Sequence, residues 1–393
     1  MKILHITPHY WPPMGPDDTV IPLRGLCRSL AERGHEVHVY TSNRDGSDLL
    51  KVPTGKPMEH DGVVVSYFSS PNLLGQYFQS PAMAETVRQN IKQFDIVHIH
   101  TCFTWPAIMA SRIAAKAGIP YIFSPQNMLE KSLFSGRNAI IKWLWFYLFG
   151  KKILRQASYI HLTSRREDRE LAKFYQKSVA IKIIANGVSP PDKISNVEQL
   201  LLQPWQNKDY VLAMGDICWK NGLNRLISAW SYKIDVPLVI AGTDDETTTA
   251  NIFAQADKDG VADSIHFIGP AHGQKKWSLL NNASLLVIPS HSEGFGNLVL
   301  EAMAAGCPVI TRAEIGAASI LEEAKAGLVV SGGPKQLAQS INEILTDHSW
   351  RQAMGRRGVE HVQRYYTWPT IAESMEGLYV EAKLKRKTRH GKS

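Results

Sequence analysis

Four cysteines in 393 residues, Cys27, Cys102, Cys218 and Cys307, are too few and too scattered to make a disulfide framework. They form no CxxC pair and no zinc spacing, so free thiols in a reduced, cytosolic protein are expected. Long apolar runs are also missing. No segment approaches the roughly 20 apolar residues that a membrane helix needs. The opening run Met1–Thr7 is too short for a signal peptide and reads better as a first strand. No internal repeat is visible, and compositional bias is confined to a basic tail. Charge is not of one sign either: 44 Lys and Arg against 36 Asp and Glu leave a formal +8. That excess suits anionic small molecules or acidic lipid surfaces. No recognised nucleic-acid module appears and the basic residues are otherwise dispersed, so no nucleic acid is expected as partner.

What is present is an ordinary globular balance, 44% hydrophobic and 20% charged, in a chain long enough for two cores. Short apolar runs alternate with helical patterns from end to end, the signature of parallel-sheet α/β domains. In the first half, strands are expected near Ile3–Thr7, Glu36–Thr41, Val63–Phe68, Ile96–His100, Tyr121–Ser124, Tyr159–Leu162 and Ile181–Ile184. A helix from about Val20 to Arg33 separates the first two. In the second half they are expected near Tyr210–Met214, Leu238–Ala241, Ile265–Ile268, Leu285–Ile288, Val309–Thr311 and Leu328–Val330. Ser189-Pro190-Pro191-Asp192-Lys193 opens a polar, proline-bearing stretch. The expected organisation is therefore an N-terminal domain over 1–189, a linker over 190–208 and a C-terminal domain over 209–368. A last helix over 369–383 and a basic tail over 384–393 follow.

The most informative stretch runs from Pro289 to Gly306: Pro-Ser-His-Ser-Glu-Gly-Phe-Gly-Asn-Leu-Val-Leu-Glu-Ala-Met-Ala-Ala-Gly. It joins an apolar strand to a helix through a loop holding Gly294 and Gly296. Strand, glycine loop and helix is the geometry in which free amides and a positive helix end face an anion. The two glycines let the backbone approach a ligand without Cβ atoms in the way. Glu293 sits in the loop and Glu301 lies about a turn into the helix, so carboxylates that can hold hydroxyls stand beside amides that can hold phosphate. Phosphate plus polyol points to a sugar nucleotide.

This motif, two glutamates with seven residues between them in Ser-x-x-Glu-Gly-Phe-Gly followed by Glu-Ala-Met-Ala-x-Gly-x-Pro-Val, resembles the donor site of the GT-B retaining glycosyltransferases of family 4. The resemblance covers nearly the whole chain. It implies an α/β fold of GT-B type, two Rossmann-like domains facing across a cleft, with the active site at the carboxyl ends of the strands. It also implies a last helix that crosses back to pack on the first domain. Glu301 would hold the nucleotide ribose and Glu293 would face the donor sugar. The amides of Gly294, Phe295, Gly296, Asn297 and Leu298 would bind sugar hydroxyls and phosphate. Gly215 and Lys220 would belong to the donor side, and His100 and Gln126 to the reacting centre.

Three places depart from the family pattern. A Gly-Gly pair that meets the donor pyrophosphate falls on Asp17 and Asp18, carboxylates that repel a diphosphate. The segment Gly-Arg-x-x-x-x-Lys-Gly reads Gly215-Asp216-Ile217-Cys218-Trp219-Lys220-Asn221-Gly222, with Asp216 and Asn221 where the two cations stand and only Lys220, one residue early. A basic residue after the strand Tyr121–Ser124 is replaced by Gln126-Asn127; glutamine hydrogen-bonds but carries no charge. Losing one charged donor from a preorganised site costs roughly 3 kcal/mol. Arg24, Arg28 and Lys220 are the cations available as substitutes.

His98 and His100 share one face of a strand at i, i+2, but no third ligand at a metal spacing is apparent, so no metal is expected. His98 reads as an interior histidine and His100 as the strand end near an acceptor hydroxyl. Gly187, in Asn186-Gly187-Val188, is expected in a turn with φ > 0, and His266 as a structural residue near a sheet edge. Lys142-Trp143-Leu144-Trp145-Phe146-Tyr147-Leu148-Phe149, followed by Lys151, Lys152 and Arg155, fits either a helix at a membrane interface or a core helix. The tail Lys383–Arg389 adds a basic patch. The expected function is a cytoplasmic, metal-independent, retaining glycosyltransferase of polysaccharide biosynthesis, peripheral on the inner membrane face. It would need no cofactor, use a nucleotide-sugar as co-substrate, and act on a saccharide or lipid-linked acceptor. The alternatives are a degenerate family member that binds or scaffolds without donor turnover, and a GT-B enzyme of other chemistry such as a sugar-nucleotide epimerase.

Overall fold

The computed structural model describes residues 1–11, 20–45, 48–70, 77–134, 138–175, 179–191, 209–243 and 246–390. Asp17, Asp18 and most of the expected linker, residues 192–208, lie outside the described residues. The chain divides into two compact units, Met1–Gly187 with Trp368–Ser393, and Val188–Thr367. Each is a Rossmann-like α/β unit on a parallel sheet.

The first unit carries β1 (Lys2–Ile6), β2 (Glu36–Ser42), the short pair β3 (Arg44–Asp45) and β4 (Asp48–Leu49), then β5 (Pro57–His60) and β6 (Val63–Phe68). β7 (Ile96–His100), β8 (Tyr121–Ser124), β9 (Tyr159–Leu162) and β10 (Ile181–Ile183) complete it. Eight of these form one sheet in the order β10-β9-β8-β7-β1-β2-β6-β5. Most of its strands are continuous apolar runs because helices cover both faces. β5 departs from the sequence reading: it is an antiparallel edge strand on β6, half exposed, and Pro-Met-Glu-His carries no apolar run to announce it. The order reverses between β1 and β7, which brings their carboxyl ends, with His5, His98 and His100, to the switch point.

The last helix, Trp368–His390, belongs to this first unit. Its Trp368 indole lies on two glycines: a Cβ on Gly25 would sit 2.3 Å from Trp368 Cε2, and one on Gly187 would sit 2.7 Å from Cδ2. Gly187 therefore serves by having no side chain. Its φ is not in the left-handed region, contrary to the turn expected there. Further along the helix, Glu376 pairs with Arg33 at 2.7 Å and Lys383 with Asp95 at 2.8 Å.

The second unit has β11 (Val211–Met214), β12 (Leu238–Ala241), β13 (Ile265–Phe267), β14 (Leu285–Val287), β15 (Val309–Thr311) and β16 (Gly327–Val329). They are paired in parallel in the order β13-β12-β11-β14-β15-β16. His266 lies on the edge strand β13. Here the order reverses between β11 and β14, so the loops that follow them, 215–222 and 288–296, share the switch point. Among the described residues no helix is long and apolar enough to cross a membrane.

Candidate functional site

The Pro289–Gly306 stretch follows β14 and folds as a loop and a helix, the helix over Asn297–Ala304. Gly296 is its N-cap at φ 80, a left-handed conformation, and as glycine it offers no side-chain cap of its own. A Cβ on Gly296 would also meet Ile315 Cγ2 at 2.6 Å, so glycine is required by backbone and by packing. Phe295 is buried beneath the loop, whereas Glu293, Gly294, Asn297, Leu298 and Glu301 are half-buried. The segment after β15 braces the loop. Glu293 bridges to Ile315, and the amides of Gly316 and Ala317 donate to the carbonyls of Gly294 (3.1 Å) and Phe295 (2.7 Å). Glu301 accepts from Lys276 Nζ at 2.5 Å, on the helix Gly273–Asn282. Lys276 carries no motif signal, and only the fold brings it to Glu301.

The neighbouring loop after β11 is built on Gly215, at φ 132, whose amide donates to Ala241 O at 3.0 Å. Asp216 and Lys220 are exposed. Asn221 is used structurally: its side-chain amide donates to the Asp216 carbonyl and closes the turn. The carbonyl of Lys220 accepts from the His291 amide at 2.8 Å, so this loop and the motif loop are bonded together. Of the other substitute cations, Arg24 is bound to Asp61 at 2.7 Å and stacked on Trp11, and Arg28 is bound to Glu32 at 2.8 Å.

In the first unit, His100 and Gln126 meet: Gln126 Nε2 donates to His100 Nδ1 at 3.3 Å. Both border a small hollow at the carboxyl edge of the sheet, together with His161, Asn186 and Trp368. The loops here hold Thr101, Phe103, Gln126 and Asn127 at φ between 57 and 69. Non-glycine residues in that region cost about 1–3 kcal/mol each and tend to gather at functional sites. Glu167, buried, steadies the Gln126–Asn127 loop by accepting from Asn127 N at 2.6 Å and Thr163 N at 2.8 Å. Burial raises its pKa to about 7 against the pull of those amides.

Behind the hollow, buried histidines form two directional chains. His161 Nε2 meets the Ile184 carbonyl at 2.9 Å, and a carbonyl only accepts. His161 Nδ1 is then an acceptor, and Ser124 Oγ–H donates to it at 2.6 Å. Ser124 in turn accepts from His98 Nε2–H at 2.7 Å, leaving His98 Nδ1 to accept from the Tyr379 hydroxyl at 2.8 Å. In the second chain, His100 Nε2–H donates to His5 Nδ1 at 3.0 Å, and His5 Nε2–H is left without a partner among the described residues. Burial keeps all four imidazoles neutral, with pKa values of about 3 for His5, about 4 for His161, and well below 6.5 for His98 and His100.

The third histidine that sequence spacing did not supply is thus His5, brought in by β1–β7 pairing. Ligand atoms of His5, His98 and His100 all lie within 4.8 Å of one another. Yet both nitrogens of His98 are engaged, so a metal there would have to break the Tyr379–His98–Ser124 chain. The geometry fits a hydrogen-bonded relay better than a ligand set.

Residues 23–191 match the family model described as Glycosyltransferase Family 4, and residues 202–361 match the one described as Glycosyl transferases group 1. The chain belongs to the GT4-type glycosyltransferases. A relative, an uncharacterised glycosyltransferase of Methanocaldococcus jannaschii, is 24% identical over 96% of this chain and 98% of its own length. Among solved structures, sucrose-phosphate synthase from Thermosynechococcus elongatus superposes with TM-score 0.76 at 21% identity, covering 97% of this chain and 98% of that one. HepE of Anabaena, solved in complex with UDP, gives TM-score 0.74 at 19% identity, covering 96% and 99%. These structures share the GT-B fold with this glycosyltransferase-family chain.

The aromatic stretch of this GT4-type chain divides by face. Trp145 and Phe146 are buried and Trp143 and Phe149 pack against the same core. Ile140, Ile141, Leu144, Tyr147 and Leu148 stand outward, between 58% and 84% exposed. That spacing is itself a helical stripe, turned to solvent.

Proposed function

We propose that this chain transfers a sugar from a nucleotide-sugar donor to a polysaccharide or glycolipid acceptor, with retention of configuration and without a metal. The observation that carries the reading is the loop after β14. Its helix opens on a left-handed N-cap glycine, and Glu293 and Glu301 flank that start within one rigidly braced element. Anionic phosphate suits the amides of Gly294 to Leu298. Ribose hydroxyls suit Glu301, oriented by Lys276, and sugar hydroxyls suit Glu293. As the bond from anomeric carbon to diphosphate oxygen breaks, the acceptor oxygen bonds on the same face and its proton passes to the departing diphosphate. His100 and Gln126 are assigned to the acceptor hydroxyl.

The acceptor is proposed to be presented at an anionic membrane surface. The outward row Ile140, Ile141, Leu144, Tyr147 and Leu148 is exposed apolar area on a helix bordered by Lys142, Lys151, Lys152 and Arg155. Residues 131–166 contain no Asp or Glu. An apolar stripe in a purely cationic setting complements acyl chains and acidic headgroups.

A second reading, a fold that binds without turnover, is favoured by one observation: Asp216 is exposed and Asn221 is engaged in shaping its turn, where cations would neutralise a leaving diphosphate. Titration calorimetry with UDP, GDP, ADP and their sugar conjugates at low salt separates the two. Tight binding of one nucleotide, lost in Glu301→Ala, supports the donor site. No binding by folded protein refutes it. UDP comes first because HepE was crystallised with it. Sugar release or transfer, with the anomer of the product read by NMR, then tests turnover and retention.

A further inference from the structure

Two arginines stand on elements that flank the motif loop. Arg225 stands in the first turn of the helix Leu223–Trp230, whose N-cap Gly222 has φ 63. A Cβ on Gly222 would lie 2.5 Å from the Pro289 carbonyl, so this helix start is pressed against the head of the motif loop. Arg312 opens the segment whose later residues bond to Glu293, Gly294 and Phe295, and its own carbonyl accepts from Ile315 N at 3.1 Å.

The Nε and Nη1 atoms of Arg225 are buried and have no hydrogen-bond partner among the described residues. Burial first, and Arg312 second, hold its pKa below the ordinary range, while Glu314 acts the other way. Glu314 is itself held by Arg312, through Nε at 3.1 Å and Nη2 at 3.4 Å. One carboxylate therefore serves two guanidinium groups and is bonded to the other one. Unpartnered, desolvated N–H donors on a cation beside a second cation are costly in a ligand-free protein. Nε and Nη1 lie on opposite edges of the guanidinium, and an oxyanion at either edge would supply an acceptor and the missing negative charge together.

We propose that Arg225 and Arg312 form the anion subsite of the motif loop, taking the phosphate oxygens of a nucleoside diphosphate in place of the cations absent at Asp216 and Asn221. The nucleoside part of this statement rests on the function proposed above; the phosphate part does not.

The test is calorimetric titration of the full chain with UDP, uridine and inorganic pyrophosphate, for wild type, Arg225→Gln, Arg225→Lys and Arg312→Gln. We expect Arg225→Gln to weaken UDP and pyrophosphate at least tenfold while leaving uridine within twofold, with Arg225→Lys in between and Arg312→Gln following the same pattern. Removing a half-buried charge with two unpartnered N–H donors should leave the ligand-free melting temperature of Arg225→Gln equal to or above that of wild type. UDP and pyrophosphate affinities within twofold of wild type in Arg225→Gln would overturn the subsite, as would a fall in its ligand-free melting temperature, the mark of a structural arginine. Wild type that binds neither phosphate ligand would also overturn it. Pyrophosphate binding that depends on Arg225 without any gain from the nucleoside would keep the subsite, remove the nucleotide-sugar reading, and point to phosphate from another source.

Discussion

Acidification from pH 7 to pH 5 should destabilise the first unit through its buried histidines. In the unfolded chain a histidine titrates near its ordinary 6.5, whereas His5 and His161 titrate near 3 and near 4 in the fold. A depressed folded value means that the unfolded state takes up the proton first. The stability these groups contribute is whole above 6.5 and is lost as pH falls toward the folded values. Each such group costs about 1.4 kcal/mol per pH unit, or about 2 kcal/mol by pH 5, so these two lose about 4 kcal/mol together. His98 and His100, held well below 6.5, act with the same sign. Glu167 opposes them. Its folded pKa of about 7 lies above the ordinary 4.5, so its contribution is present at low pH and lost as pH rises through 7. Between pH 7 and pH 5 it returns about 2 kcal/mol. The histidines win: His5 and His161 alone leave a net loss of about 2 kcal/mol, and His98 and His100 add to it in the same sense. The assay is urea unfolding at pH 5, 6 and 7, localised by hydrogen exchange of β1 and β7 amides. His5→Asn keeps an acceptor near His100 Nε2 and deletes one titrating group, so its stability should fall less steeply by about 1.4 kcal/mol per unit. Equal slopes for variant and wild type, or no pH dependence at all, would refute the reasoning.

Gly296→Ala must hold a left-handed φ of 80 and place a methyl 2.6 Å from Ile315 Cγ2; it should lose about 2–4 kcal/mol in denaturant titrations and weaken nucleotide binding with it. Lys276→Met leaves the half-buried Glu301 carboxylate without its cation. Its Kd for UDP should rise about tenfold, a change of about 1.4 kcal/mol in calorimetry. Replacing Ile140, Ile141, Leu144 and Leu148 together by serine should abolish sedimentation with phosphatidylglycerol-containing vesicles while leaving the melting temperature unchanged, because all four side chains are exposed. Binding that survives this change would remove the membrane surface from the proposal.

The sheets were legible because their strands are apolar runs buried on both faces: Val63–Phe68, Ile96–His100, Tyr121–Ser124 and Leu238–Ala241 form where those runs lie. Pro57–His60 was not, since an antiparallel edge strand needs only one covered face. The motif loop was readable as chemistry because glycines and glutamates sit at fixed spacing within one element. Lys276, Arg225, His5 and Tyr379 were not, because each reaches its place through pairing or packing over long separations; Tyr379 meets His98 across 281 residues. From 139 to 150 the helical stretch carries one charged residue, Lys142, among apolar ones on every side, and periodicity alone does not tell the inward face from the outward one. The π-helical turn Phe146–Gly150 shifts the register as well.

The return of the last helix to the first unit has a consequence for synthesis. The second unit is one unbroken stretch, Val188–Thr367, inserted in a first unit whose covalent parts lie on either side of it. Where the chain passes from one to the other, the Val188 amide donates to Tyr366 O at 2.9 Å, and Val188 pairs with Thr367. On the ribosome, the part made first is therefore the part finished last. Until residues 368–383 emerge, Gly25 and Gly187 lack their indole, Asp95 lacks Lys383, and the Tyr379–His98–Ser124–His161 chain has no beginning. The inserted unit has every strand it needs earlier. A nascent chain stalled just before Trp368 should thus hold a finished second unit and an open first one, reversing the usual N-to-C order of domain completion.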